Sequence, residues 1–304
     1  MAEWIEIRIP LALPTDEPWD PDDIAALLAT ELEAAKAGIW LVDDCIVYWV
    51  PAERAEAELA RARAAAAEFA AREVPIAADA VVALPTAPET TWKDAWKRYF
   101  RTTRLTRQLV VVPSWDEFDP GADDLVIHLD PEMAFGTGAH ASTQLVLETM
   151  QAIHDAGDEP DRILDVGAGS GILAIAGARL WPRATVLAID SDPETIAVAA
   201  GNCENNGVSD RVVCAATPVG DIDEEFELVV ANIQADVLHA LKDALAAKIR
   251  PGGHLVLSGL LTHQADEVAD AYEATRRLGL QGSRTSDRDP EWRVVHLRGY
   301  ADLP

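Results

Sequence analysis

The stretch Ile163-Leu-Asp-Val-Gly167-Ala-Gly169-Ser-Gly171 decides the fold of this 304-residue chain. A short segment typical of a buried strand runs directly into a turn with three glycines. Glycine permits a tight turn and lets a ligand approach backbone amides at the start of the following helix. The dinucleotide fingerprint G-x-G-x-x-G needs a third glycine three residues after the second, but Gly171 follows Gly169 by two. The motif predicts a nucleotide-type site and excludes the nicotinamide fingerprint.

Predicted strands and helices alternate from residue 160 onward. The strands are predicted at 163–166, 184–190, 212–215, 228–232, 254–259 and 293–297. The helices are predicted at 171–180, 193–206, 235–248 and 262–278. This alternation indicates an α/β fold with a doubly wound, mostly parallel sheet and helices on both faces. Ligands of such sheets bind at the carboxyl ends of the strands.

Asp190 ends the second of these strands, 19 residues after Gly171. A carboxylate at that position can accept hydrogen bonds from both hydroxyls of a ribose. The alternative role is to cap the helix that begins near Pro193, but the neighbouring Asp192 is better placed for it. We therefore interpret Asp190 as a ligand-binding residue.

Asn232 ends the strand predicted at 228–232, within Ala231-Asn-Ile-Gln-Ala235. An amide at the carboxyl end of a central strand can bind a cofactor or accept a hydrogen bond from a substrate amine. It can equally cap the helix that starts near Ala235. The residue alone leaves both roles open.

A loop upstream of the sheet reads Leu129-Asp-Pro-Glu-Met-Ala-Phe135-Gly-Thr137-Gly138-Ala-His140-Ala-Ser-Thr143. Its glycines and hydroxyl groups, just before a helix predicted at 144–153, suit a flexible cover over a site. The alternative is a plain helix N-cap. A single histidine is more often structural than catalytic, so we assign His140 no catalytic role.

Composition narrows the class of protein. The chain carries 25 Lys plus Arg against 52 Asp plus Glu, a formal net charge of -27. Non-specific nucleic-acid binding needs basic side chains on phosphates, so this charge excludes a generic nucleic-acid binder. An odd number of cysteines without a C-x-x-C motif supports neither a disulfide framework nor a zinc site. We expect no bound metal and a reducing compartment.

The N-terminus Met1-Ala-Glu-Trp-Ile-Glu-Ile-Arg8 has neither the basic start nor the apolar run of a signal peptide. No apolar stretch approaches the roughly 18 residues of a membrane span. We expect a soluble, cytoplasmic protein that does not contact a membrane.

Residues 1–85 predict a small N-terminal domain. Strands are predicted at 5–13, 39–42, 46–50 and 80–84, and helices at 20–37 and 51–72. The order βαββαβ is typical of a ferredoxin-like sandwich. The segment contains no glycine-rich loop and no cluster of His or Cys residues, so we interpret it as a recognition or dimerisation domain.

Residues 86–110 are the predicted linker, and residues 111–304 the second domain. Within the linker, Trp92, Trp96 and Phe100 have the spacing of a short amphipathic helix. This region also holds a basic segment, composed of Lys93, Lys97, Arg98, Arg101, Arg104 and Arg107. Two interpretations stay open: a solvated helix face, or a docking surface for an anionic partner.

Four segments resemble the PrmA family, methyltransferases that modify large-subunit ribosomal protein eleven. They are Pro113-Ser-Trp115; Leu129-Asp-Pro131 followed by Ala134-Phe-Gly-Thr-Gly138 and His140; Leu164-Asp-Val-Gly-Ala-Gly-Ser-Gly-Ile-Leu-Ala-Ile175; and Ala231-Asn-Ile233 with Ser258-Gly-Leu260 and Gln264-Ala265. The resemblance extends from about Lys93 to the end of the chain. It implies a seven-stranded Rossmann-like methyltransferase sheet, preceded in the sequence by a small N-terminal substrate-recognition domain. The implied cofactor is S-adenosyl-L-methionine.

The resemblance also implies roles for individual residues. The cofactor contacts carried over from the family are Thr143, Gly167, Asp190 and Asn232. Further cofactor-binding candidates are Gly169 in the turn and Phe135, Thr137 and Gly138 in the loop. Asn232 is in addition the candidate catalytic residue, placed to orient the reacting groups. The chain departs from the family at Ala168, where the family has Cys, and in Ala139-His-Ala-Ser-Thr143, where it has Thr-His-Pro-Thr-Thr.

The activity implied by the resemblance is methyl transfer from S-adenosyl-L-methionine to lysine and N-terminal amino groups of a basic ribosomal protein. An acidic surface suits a basic partner by electrostatic steering. One alternative is a methyltransferase of the same fold that acts on another protein, a small molecule or RNA. An RNA enzyme would be expected to carry a basic domain, which this chain lacks. Another alternative is a non-catalytic cofactor-binding protein.

Overall fold

The computed structural model describes residues 4–12, 24, 28, 32, 40–42, 44–72, 74–85, 101–129 and 140–301. The chain divides into two units, Met1–Tyr99 and Phe100–Pro304. The helix predicted from Trp92 to Phe100 lies outside the described residues.

The first unit contains a four-stranded antiparallel sheet. Its elements are β1 (Trp4–Pro10), β2 (Trp40–Val42), β3 (Cys45–Pro51), α1 (Ala55–Ala71) and β4 (Val82–Pro85). The strand order is β2-β3-β1-β4. Ile7 and Ile9 alternate with polar residues along β1, and both pack in one core with Ala62 and Ala66 of α1. The small alanines let the helix approach the sheet closely.

The first predicted helix, at 20–37, lies outside the described residues except at three positions, Ile24, Leu28 and Leu32. These three side chains are fully buried in the core of the first unit. The four strands and α1 follow one another as the sequence predicts. The complete βαββαβ order stays a prediction.

A small sheet that was not predicted from the sequence opens the second unit. Its strands are β5 (Thr103–Arg104), β6 (Leu109–Val112) and β7 (Leu125–His128), in the order β5-β6-β7. All four residues of β6 are buried. The second unit therefore begins before residue 111, inside the stretch assigned to the linker.

The described arginines of the basic segment are neutralised by aspartates. Arg101 pairs with Asp116 at 3.0 Å. Arg104 pairs with Asp124 at 2.8 Å, and Arg107 pairs with Asp155 at 2.7 Å. Exposed pairs of this kind stabilise a protein little, but they cancel local charge. They favour the solvated face over a docking surface for an anionic partner.

The main body of the second unit is a seven-stranded sheet. Its strands are β8 (Arg162–Val166), β9 (Thr185–Ile189), β10 (Val212–Ala215), β11 (Phe226–Asn232), β12 (Ile249–Leu261), β13 (Leu278–Thr285) and β14 (Trp292–Gly299). The order is β10-β9-β8-β11-β12-β14-β13. β14 is antiparallel to its neighbours β12 and β13, and the other neighbouring pairs are parallel. The predicted doubly wound, Rossmann-like sheet is confirmed.

Helices cover both faces of this sheet. They are α2 (Ala141–Asp155), α3 (Ile172–Leu180), α4 (Pro193–Asn205), α5 (Ala235–Ala247) and α6 (Thr262–Glu273). Leu228 and Val230 of β11 enter a core with α2, α3 and α4, whereas Val229 and Ala231 enter a second core with α5 and α6. A strand buried on both sides reads as a continuous apolar run, which is why β11 was predictable.

Length and apolar character would both be needed for a helix to cross a membrane, and no helix in the described part of the chain combines them.

Two histidines stack within the sheet, away from the carboxyl ends of the parallel strands. The ring centroids of His254 on β12 and His296 on β14 are 5.1 Å apart, and Nδ1 of the first lies 2.9 Å from Nε2 of the second. Asp158 lies 3.6 Å from His254 and 3.3 Å from Arg298. Burial is the main cause that lowers the pKa of both rings, and the pKa of His296 falls to about 4.

This burial predicts acid sensitivity. An unfolded histidine binds its proton near pH 6.5, whereas folded His296 binds it only near pH 4. The stability linked to His296 is therefore complete above pH 6.5 and is lost as the pH falls towards 4. Between pH 7 and pH 5 we expect a loss of about 2 kcal/mol from this residue.

Urea unfolding of the wild type and of His296→Gln at both pH values tests the prediction. Carboxyl groups titrate in both proteins. The difference between the two proteins in the free energy of unfolding lost from pH 7 to pH 5 therefore reports on His296. Equal losses of stability in the two proteins would contradict it.

Candidate functional site

The glycine turn links the end of β8 to the start of α3. The N–H groups of Gly167 and Ala168 both donate to the carbonyl of Ile189, at 2.8 and 2.9 Å. Gly167 has a φ of 76°, and a Cβ there would lie 2.3 Å from Cγ2 of Ile233. A side chain at this position would therefore collide with the loop after β11, so both backbone conformation and packing require glycine.

Asp190 lies directly against this turn. Its Oδ2 accepts a hydrogen bond from the N–H of Gly169 at 3.1 Å, and its Oδ1 accepts one from the N–H of Asp192 at 3.1 Å. The N-cap of α4 is Asp192, whose carboxylate accepts from the N–H of Glu194 at 2.8 Å. The cap role therefore belongs to Asp192, as predicted. The carboxylate of Asp190 is half-buried at the edge of the turn, where a ligand can reach it.

Asn232 and Thr143 meet although 89 residues separate them. Nδ2 of Asn232 donates to Oγ1 of Thr143 at 3.0 Å. The N-cap position of α5 is Gln234, so capping α5 is not the role of Asn232. The side-chain oxygen of Asn232 accepts no hydrogen bond from the described residues, which leaves an acceptor at the carboxyl end of β11.

His140 is the N-cap of α2. Its Nδ1 lies 2.7 Å from Oγ of Ser142 and accepts from the N–H of the same residue at 3.3 Å. Its ring packs edge-on against Trp292, with centroids 4.6 Å apart. These contacts give His140 a structural role and place Thr143 in the first turn of α2.

The strand order brings these groups to one edge. β8 lies between β9 and β11, so the chain leaves it in one direction to form β9 and returns on its other side as β11. The carboxyl ends of strands that diverge in this way form a crevice, the usual ligand site of open α/β sheets. The crevice contains Gly167, Gly169 and Asp190. Ile233, the residue after Asn232, packs against Gly167, so Asn232 lies next to the same crevice. The candidates Phe135, Thr137 and Gly138 lie outside the described residues.

Asp165 is a polar residue of the fold-determining stretch, and no role was predicted for it from the sequence. It is 0% exposed. Its Oδ2 accepts from the N–H of Ala174 at 3.0 Å, and its Oδ1 has no hydrogen-bond partner among the described residues. Burial raises the pKa of this carboxyl to about 7. A carboxylate inside an apolar strand was the signal that could have singled it out.

Ser258 is a second residue without a predicted role. It is 0% exposed on β12, directly opposite Asn232 of β11. Its hydroxyl donates to the backbone carbonyl of Ser142 in α2 at 2.9 Å. The sequence signal was a hydroxyl that follows the apolar run Leu255-Val-Leu257.

Comparisons with known proteins agree with this geometry. The family described as "Ribosomal protein L11 methyltransferase (PrmA)" matches residues 33–298. A ribosomal protein L11 methyltransferase of Geobacter metallireducens is 42% identical over 248 residues, which cover 81% of this chain and 78% of the relative. A protein of the same name from Pelotomaculum thermopropionicum is 42% identical over 228 residues, 75% of this chain and 70% of the relative.

A crystal structure of a ribosomal protein L11 methylase from Lactobacillus delbrueckii subsp. bulgaricus is similar with a TM-score of 0.58 and 32% identity. The similarity covers 66% of this chain and 100% of that one. The sheet, the glycine turn and these matches define a Rossmann-like methyltransferase. More particularly, the chain belongs to the ribosomal protein L11 methyltransferase (PrmA) family.

Proposed function

We propose that this protein transfers methyl groups from S-adenosyl-L-methionine to lysine and N-terminal amino groups of ribosomal protein L11. The observation that carries the proposal is the crevice itself. Asp190 contacts the glycine turn there, and Asn232 contacts Thr143. Membership of the family supports the substrate, which is the one in the names of the relatives.

The residues of the crevice fit this cofactor. Gly167 presents no side chain, so a ligand can lie against the backbone of the turn. The Asp190 carboxylate is a suitable acceptor for the two hydroxyls of the ribose. Asn232 can accept from an amino group through its side-chain oxygen. When bound, the cofactor supplies a methyl group on a positively charged sulfur.

The protein side of the mechanism is mainly orientation. Asn232 is held by Thr143 and has its oxygen available for an N–H of the attacking amine. Holding a neutral amine in line with a methyl group can lower the barrier by several kcal/mol, about 7 or more in well-oriented model systems. The described residues at the crevice include no histidine in a position to act as base, since His140 caps α2. We propose that the ammonium loses its proton before transfer, either to water or to a polar group near Asn232.

The charge of the chain supports a basic protein substrate. With a formal net charge of -27, the enzyme attracts a basic partner at long range and repels exposed nucleic-acid phosphates. We propose that residues 1–85 recognise this substrate and that the second unit, Phe100–Pro304, binds the cofactor and carries out the transfer. Direct nucleic-acid binding is not part of the proposal.

Transfer of a labelled methyl group tests the proposed function. The protein is incubated with labelled S-adenosyl-L-methionine and ribosomal proteins from cells that lack this modification, and labelled residues are identified by mass spectrometry. We expect label on lysine and N-terminal amines of L11. Label on RNA, on a small molecule or on another protein alone would contradict the proposal, as would binding without turnover.

Asp190→Ala is expected to weaken the binding of S-adenosylhomocysteine by at least about 1.5 kcal/mol, a roughly tenfold rise in Kd. This is the lower end of the range for hydrogen bonds to a charged group, because Asp190 is only half-buried. Calorimetric titration measures the change.

Asp192→Ala is the matched control for this prediction. It removes a neighbouring carboxylate that caps α4, so it should lower stability and leave the Kd unchanged. If Asp190→Ala also leaves the Kd unchanged, Asp190 is not part of the site.

A further inference from the structure

We propose that Ser258 is a positioning residue of the cofactor site: its hydroxyl holds the first turn of α2 so that Thr143 meets Asn232. This inference rests on the proposed function, because it assumes that the crevice binds S-adenosyl-L-methionine.

The first support is the burial of the hydroxyl. Ser258 is 0% exposed, and a buried hydroxyl costs free energy unless it is hydrogen-bonded. Its partner is the carbonyl of Ser142, at 2.9 Å, on an element 116 residues away in sequence. The bond therefore joins β12 to α2 rather than stabilising a local turn.

The second support is the register of the sheet. Ser258 lies directly opposite Asn232 in the parallel pair of β12 and β11. Asn232 donates to Thr143, and Ser258 donates to the preceding residue, Ser142. Two adjacent residues of α2 are thus held by two directly paired strand residues. Together the two bonds restrain the position and the rotation of the helix start.

The third support is the shape of β12 at this point. The pairing of β12 with β14 is irregular between Leu257 and Leu260, so Ser258 lies at a local distortion of the strand. Such distortions redirect side chains and are common next to active sites. The next residue, Gly259, has a φ of 79°, and a Cβ there would lie 2.5 Å from the carbonyl oxygen of Ile233. The distorted segment is therefore packed directly on the loop that follows Asn232.

The hydroxyl is not required to satisfy the carbonyl of Ser142. That carbonyl lies in the first turn of α2, where helix geometry offers it the N–H four residues later. Removing the hydroxyl should therefore affect the placement of Thr143 more than the stability of the fold.

Calorimetric titration with S-adenosylhomocysteine tests the inference in the full chain. Ser258→Ala is expected to raise the Kd about fivefold, which is the effect of one neutral hydrogen bond. In a Thr143→Val background, where the bond to Asn232 is already lost, Ser258→Ala should add less than about twofold.

Ser283→Ala is the matched control. Ser283 also donates from a strand to a backbone carbonyl, that of Val294 at 3.1 Å, but it belongs to β13 and makes no contact with Asn232 or Thr143 among the described residues. Its Kd should equal that of the wild type.

The outcomes separate the two proposals. No binding by the wild type contradicts the proposed function. Binding by the wild type with an unchanged Kd in Ser258→Ala overturns the inference, and so does an equal loss with and without Thr143, which indicates a general structural role. If Ser258→Ala does not fold, Ser258→Cys, similar in size and a weak donor, is measured against the same outcomes.

Discussion

Replacing Asn232 with alanine is expected to slow methyl transfer in a single turnover about 100-fold, the loss typical of one misplaced polar contact in an active site. The substitution removes the hydrogen bond to Thr143 and the side-chain oxygen proposed to orient the amine. Because Asn232 is only half-buried and does not cap α5, the fold should persist. Rapid-quench measurement with labelled S-adenosyl-L-methionine gives the rate.

Gln234→Ala provides the control for Asn232→Ala. Gln234 occupies the N-cap position of α5 without a side-chain cap bond. The rate of methyl transfer by Gln234→Ala should therefore stay close to that of the wild type. A rate for Asn232→Ala within about threefold of the wild type, less than one such contact should cost, would support a purely structural role.

A fragment that begins near Pro88 is expected to fold and to bind S-adenosylhomocysteine with nearly normal affinity, but to methylate intact L11 at least about 100-fold less efficiently. The cores of the second unit draw their buried residues from Leu105 onward. The proposed cofactor residues also lie in the second unit. What the fragment lacks is the proposed recognition domain, which would otherwise hold the substrate at roughly millimolar effective concentration.

Two measurements check the fragment prediction. Calorimetric titration reports cofactor binding, and labelled transfer to intact L11 and to a short lysine peptide reports catalysis. The peptide in large excess should react with the fragment and the full chain at similar rates. Methylation of intact L11 at the full rate by the fragment would show that residues 1–85 are not the recognition domain.

The sequence predicted the parallel strands well because each is an apolar run that ends at a turn signal. β10 begins and ends at the predicted residues, and β8 differs by one residue at its start. β13 was missed because it lies at the sheet edge, is largely exposed and contains Gly279 and Gly282. The helix predicted to reach Leu278 ends instead at Glu273, and Arg276 then adopts a φ of 59°.

The candidate site was predictable where it depends on strand ends. The glycine turn and Asp190 follow directly from the rule that ligands lie at the carboxyl ends of parallel strands. The contact between Asn232 and Thr143 was not predictable from spacing, because it depends on how α2 packs over the sheet. Ser258 lies in a segment that resembles the family, but its role was not predictable for the same reason, since its partner is a backbone carbonyl of α2.

The position of Ile233 has a consequence for how this crevice can change in evolution. A side chain at Gly167 would collide with the side chain of Ile233, whereas one at Gly259 would collide with its backbone. A smaller residue at position 233 can relieve the first collision but not the second. Gly167 can therefore change only together with position 233 and at the energetic cost of its positive φ, about 1 kcal/mol or more. Gly259 has no such compensating partner, so a side chain is excluded more strictly at position 259 than at position 167.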